Sequence, residues 1–88
     1  MIYLKCMFDG CKTLYNIDEL KYLNTNYCTN FNNMFNGCKS LSDIKSLENW
    51  NVSNGIDFSN MFRNCSSLID IKSLEKWNLN ENTFKSIF

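Results

Sequence analysis

Cysteines are the most reactive side chains in this sequence, and three of the five, Cys11, Cys38 and Cys65, recur at a constant interval of 27 residues. Such a column has the chemistry for a disulfide set or a metal site. Zinc sites use short paired spacings of the C-x₂-C kind, and none occurs here. The column therefore reads as a ladder of buried thiols, each packing as a small apolar residue. Cys6 and Cys28 break the repeat, and Cys28 stands in a column that is otherwise apolar, so it too reads as core. An odd count leaves at least one thiol outside any disulfide of a monomer.

Acid–base chemistry has little to work with. Histidine, the commonest base for a Ser or Cys nucleophile, is absent, and no glycine-rich phosphate loop appears. Asp43 and Asp70 stand one repeat apart and invite comparison with paired carboxylates. Lys45 and Lys72 accompany them, however, so a solvated, mutually neutralised face is the better reading. The expectation is a chain with no enzymatic activity, no cofactor and no metal. Trp50 and Trp77, also one repeat apart, read as a core layer rather than exposed ligand anchors. The sequons at Asn51-Val52-Ser53 and Asn64-Cys65-Ser66 matter only in a eukaryotic secretory setting.

Nine basic residues balance nine acidic ones, which leaves no electrostatic footprint for nucleic acid or an anionic membrane. No apolar run approaches a membrane span, so insertion is not expected. Residues 1–6 are too short for a signal peptide, and Lys5 directly before Cys6 argues against lipoprotein processing. Eighty-eight residues make one small domain whose core is marginal without caps or neighbours.

The thiol column belongs to a larger repeat. Met34-Phe35-Asn36-Gly37-Cys38-Lys39-Ser40-Leu41 is echoed from Met7 and from Met61, again at 27 residues, and Ile87-Phe88 begins a further copy one residue early. A period in the twenties is that of leucine-rich solenoids. The coils run 7–33, 34–60 and 61–86, with a partial coil at 1–6 and the start of a fourth at 87–88.

Three elements are predicted per coil. Leu41, Ile44, Leu47 and Trp50 are spaced by three, which wanders around an α-helix. That points to a bent chain with a short strand at Asp43-Ile44-Lys45, and likewise at Asn16-Ile17-Asp18 and Asp70-Ile71-Lys72, Ile inward and polar neighbours outward. Before each Met, residues such as Phe58, Met61 and Phe62 fall at i, i+3, i+4, the pattern of a short helix, with Thr29, Asp57 and Thr83 placed to cap it. The column Gly10/Gly37/Asn64 supplies left-handed residues to end it. The expected fold is α/β: a leucine-rich-repeat-like solenoid of about three coils, each a short helical turn plus a short strand in a parallel sheet. Neither end carries a polar cap, so the chain reads as a piece of a longer array whose bare end coils self-associate.

These columns resemble the BspA-like leucine-rich repeat surface proteins. The motif is carried by Met61-Phe62-Arg63-Asn64-Cys65-Ser66-Ser67-Leu68 and by Trp50-Asn51-Val52-Ser53-Asn54. The sequence departs from that pattern at Gly55 and Ile56, and at Leu23, which replaces Trp. The resemblance implies a cell-surface or secreted scaffold with a protein or cell-surface ligand, adhesion as its role, and no shared catalysis. The outward residues Asn16, Asp18, Asp43, Lys45, Asp70 and Lys72 are then the expected contact face. The rival reading is a structural spacer or truncated repeat relic with no ligand of its own.

Overall fold

The computed structural model describes residues 4–88, so the part of the leader argument that falls on residues 1–3 lies outside the described residues. The repeat is expressed as stacked layers that start at the Leu4, Phe31, Phe58 and Phe84 column: 4–30, 31–57 and 58–83, with 84–88 beginning a fourth.

Spacing by three dictates the local structure. The Cys38 N–H donates to the Phe35 carbonyl (3.1 Å), Leu41 to Cys38 (3.2 Å), Leu47 to Ile44 (3.0 Å) and Trp50 to Leu47 (3.1 Å). Each bond joins residues three apart. In such 3₁₀ geometry residues i and i+3 eclipse, so Phe35, Cys38, Leu41, Ile44, Leu47 and Trp50 all point into the core, and all are buried. The regular pieces are three 3₁₀ helices, η1 (Asp18–Tyr22), η2 (Lys45–Leu47) and η3 (Lys72–Trp77), and one α-helix, α1 (Glu81–Ser86).

The expected strands are not there, and with them goes the parallel-sheet, leucine-rich-repeat-like solenoid. Ile17, Ile44 and Ile71 have ψ of 24°, 19° and 16°, far from the values above 100° that strands need. The side-chain directions nevertheless match those expected of a strand: Ile44 is buried while Asp43 and Lys45 are exposed. Among the described residues the sole β pairing is an isolated parallel bridge between Asn30 and Asp57.

What joins the layers is half of a parallel ladder. The N–H groups of Phe31, Asn33, Phe35 and Gly37 donate to the carbonyls of Asp57, Ser59, Met61 and Arg63 at 2.7–3.0 Å, and Cys6, Phe8 and Gly10 donate likewise to Asn32, Met34 and Asn36. Every bond in this ladder runs from one layer to the next. The groups that would complete a sheet are spent within the layer, as when Met34, Asn36 and Cys38 donate to Phe31, Asn33 and Phe35. The Met-Phe corner is for this reason a run of turns in the first three layers, not the helix expected there. Two left-handed residues shape it: Gly10, Gly37 and Asn64 have φ of 75°, 76° and 60°, and four residues earlier Cys6, Asn33 and Asn60 have φ of 58°, 56° and 58°.

The helix does form where layer 3 runs into layer 4, at Glu81–Ser86. The Asn80 side chain accepts from the Thr83 N–H at 2.9 Å, which satisfies a free amide of the first turn, and Glu81 pairs with Lys85 at 3.2 Å. Thr83 thus sits inside the helix, and Asn80 caps it. Asp57 takes a different part, accepting from the Ser59 N–H at 2.9 Å; the Thr29 carbonyl receives the Ile56 N–H at 2.7 Å. Ser86 and Ile87 carbonyls then receive the Asn60 and Phe62 N–H groups (2.8 and 2.9 Å), closing that end of the stack. Ile87 takes the Met61 position as acceptor, but Ser86 rather than Lys85 takes that of Ser59, so the copy that starts one residue early offers adjacent carbonyls where layer 3 offers alternate ones.

Ring ladders run through the core. Phe8, Phe35 and Phe62 stack at 5.5 and 5.3 Å, Phe31 and Phe58 at 5.0 Å, and Trp50 and Trp77 at 6.3 Å, within the range of favourable aromatic pairs. Gly55 leaves room for one of these rings: a Cβ there would lie 2.2 Å from the Phe58 ring.

Candidate functional site

The edge formed by η1, η2 and η3 carries the expected contact residues, and all six are exposed. They divide into two kinds. Asn16, Asp43 and Asp70 turn their side-chain oxygens onto the backbone, accepting from the N–H of Asp18 (2.9 Å), Lys45 (2.9 Å) and Lys72 (3.0 Å), the first residue of each 3₁₀ helix. Their role is to start the helix, since a carboxylate or amide two residues upstream holds the chain in an Asx turn. Asp18, Lys45 and Lys72 project from the helices themselves.

Two shallow grooves lie between these helices. One, of about 530 Å³, is lined by Asp18, Lys21, Tyr22, Asp43, Lys45 and Glu48. The next, of about 410 Å³, is lined by Asp43, Lys45, Glu48, Asp70 and Lys72. Asn16 stands apart, beside Phe8 and Leu14 at the open end of the stack. The structure therefore brings together five of the six residues and adds Lys21, Tyr22 and Glu48. The missing signal was the period of three, which places residue 21 over 18 and 48 over 45. Glu48 also reaches Lys76 at 3.8 Å, and Lys21 lies 5.1 Å from the Tyr22 ring centre.

The thiol column bonds to the backbone. Cys38 Sγ donates to the Phe8 carbonyl at 3.2 Å and Cys65 Sγ to the Phe35 carbonyl at 3.1 Å, so each thiol joins one layer to the layer before. Burial, reinforced by the neighbouring cysteines, pushes the Cys38 thiol up to about 11. Burial also raises Cys65 and Cys28. None of the five cysteines is in a disulfide, and among the described residues no three His, Cys, Asp or Glu side chains converge as metal ligands. Asp57 is held below the usual carboxylate range by the Ser59 hydroxyl and N–H.

Trp50 and Trp77 are buried, and their indole N–H groups do the same work as the thiols. Trp50 Nε1 donates to the Leu20 carbonyl at 2.8 Å and Trp77 Nε1 to the Leu47 carbonyl at 2.9 Å. Ser40 and Ser67 reach back to Lys12 and Lys39 (2.6 and 2.5 Å) and Ser46 to Ile17 (3.0 Å). The motif residues are accordingly clasps between layers.

Residues 2–88 match the family model described as Mycoplasma protein of unknown function, DUF285. The chain belongs to that family. The match corrects the resemblance to BspA-like leucine-rich repeat proteins, whose strand-and-sheet architecture is also missing from the structure. No curated protein and no solved structure is significantly similar to this DUF285 chain. Among its described residues no helix is long and apolar enough to cross a membrane.

Proposed function

We propose that this DUF285 chain is a non-enzymatic protein-binding module that recognises its partner along the 3₁₀ edge. A cell-surface or secreted location was implied by the overturned resemblance alone and forms no part of the proposal. The observation that carries the reading is a contrast along one edge. The backbone repeats layer after layer through the same Asx turns, and layers 2 and 3 also repeat Lys45 and Glu48 as Lys72 and Glu75, while layer 1 reverses both charges with Asp18 and Lys21 and places Tyr22 where the others have Asn49 and Lys76. A regular scaffold with irregular exposed residues is how repeat proteins present binding surfaces. The carboxylates of Asp43 and Asp70 are engaged by backbone N–H groups, which weighs against using them as an acid–base pair.

The chain, immobilised as bait, tests this against a Lys45→Glu/Lys72→Glu variant with an unchanged circular dichroism spectrum. Retention of a protein by the parent chain and its loss from the variant is the expected result. Identical retention by both would place recognition elsewhere.

A further inference from the structure

The two ends of the stack are built differently. At the far end α1 and the residues after it supply carbonyls to layer 3. At the near end nothing among the described residues covers the outer face of layer 1, on which Met7 is 51% exposed and Phe8, Cys11, Leu14, Leu20 and Leu23 are half-buried. Phe8 stacks on Phe35, and among the described residues no ring covers its other side.

Layers 2 and 3 clasp the layer before them through Trp50, Trp77, Ser46 and Asn54, whose donors reach Leu20, Leu47, Ile17 and Asn26. Layer 1 has Leu23 in the Trp column, Glu19 in the column of Ser46 and Tyr27 in that of Asn54. Three of its donors are thus replaced by an apolar, an acidic and an aromatic residue. Cys11 and Thr13 keep the Cys38 and Ser40 columns, so the face is short of three backward donors and retains two. Its rim carries exposed Tyr15, Tyr22 and Tyr27, a residue type enriched at protein interfaces. Its charges are Lys5, Lys12 and Lys21 against Asp9, Asp18 and Glu19, as many positive as negative.

From these features we infer that the outer face of layer 1 is the interface of a two-fold homodimer. A neutral, mixed-charge rim does not repel its own copy. A face short of three backward clasps suits an apolar contact, and a face that pairs with its own copy closes at two copies instead of growing into a filament. The carbonyls of Lys5, Met7 and Asp9 accept no backbone hydrogen bond among the described residues, and the rim lysines and tyrosine hydroxyls of the second copy are donors for them. Layers joined by N–H···O bonds lie about 4.8 Å apart, so the stack axis is the short, 20 Å dimension of a 29 × 26 × 20 Å molecule. Two such ends bury about 1,200 Å² together, the lower bound of a specific interface.

Sedimentation velocity of the purified chain from low micromolar to millimolar concentration tests this. A monomer–dimer equilibrium is expected, weakened about tenfold or more by Met7→Arg or Tyr27→Ala. Ile69→Arg, at a position 91% exposed in layer 3, and the Lys45→Glu/Lys72→Glu pair should leave it unchanged, which separates this interface from the 3₁₀ edge. A monomer at millimolar concentration, open-ended polymers, or a dimer broken by Phe88→Arg while both layer 1 variants leave it intact would overturn the proposal.

Discussion

Cys6 holds a left-handed φ of 58° in a column where the later layers place Asn33 and Asn60. For a residue with a Cβ that conformation costs roughly 1–2 kcal/mol, and asparagine tolerates it best among non-glycine residues. The Cys6 thiol returns little, since its contact with Asn32 Oδ1 is 4.0 Å long. Cys6→Asn is accordingly expected to stabilise the chain by about 1 kcal/mol, read as a higher urea midpoint; a lower midpoint would show that the thiol holds the corner. This residue was visible in the sequence as a departure from the repeat. Its cause was not, because a second left-handed column four residues before the Gly10/Gly37/Asn64 column is marked only by Asn33 and Asn60. The thiols and indoles show the same limit: burial was legible from their columns, whereas the bonds from Cys38, Cys65, Trp50 and Trp77 to carbonyls one layer back depend on how layers stack.

At the level of elements, one spacing led to the wrong element with the right side-chain directions. Leu41, Ile44, Leu47 and Trp50 recur every three residues, which rejects an α-helix and fits a 3₁₀ helix without drift. A strand also puts Ile44 inward and its neighbours outward, so direction alone did not separate the two. The hydrogen bonds from Leu47 to Ile44 and from Trp50 to Leu47 do. The same geometry explains why the expected contact face was half structural. Asp43→Ala removes the acceptor that starts η2 and is expected to cost about 1 kcal/mol, whereas Lys45→Ala should change stability by no more than about 0.5 kcal/mol. Thermal melts of the two variants compare them directly; equal losses would mean that Asp43 is not the helix-starting residue.

On the scale of the whole molecule, the period of 27 residues and the early fourth copy were legible as stacking, since repetition at a fixed interval is a statement about layers. The sheet was not, because which N–H groups face the next layer and which close turns is decided by ψ at positions such as Ile44. Nor was the α-helix at the junction of layers 3 and 4, which depends on Asn80 as a cap and on Glu81 with Lys85. The result is a stack held mainly by backbone N–H groups directed forward and by Trp, Cys and Ser side chains directed back, the exceptions being the Ile56 and Asp57 N–H groups, which reach back to Thr29 at the one β-bridge, and the Thr25 hydroxyl, which reaches forward to Asn51. Scalar couplings across hydrogen bonds in the ¹⁵N,¹³C-labelled chain test that claim most directly. Couplings are expected from the amide nitrogens of Phe8 and Phe35 to the carbonyl carbons of Met34 and Met61, with the Met34 nitrogen coupled to Phe31 inside its own layer. Couplings from layer 3 nitrogens back to layer 2 carbonyls, the other half of a parallel ladder, would contradict it.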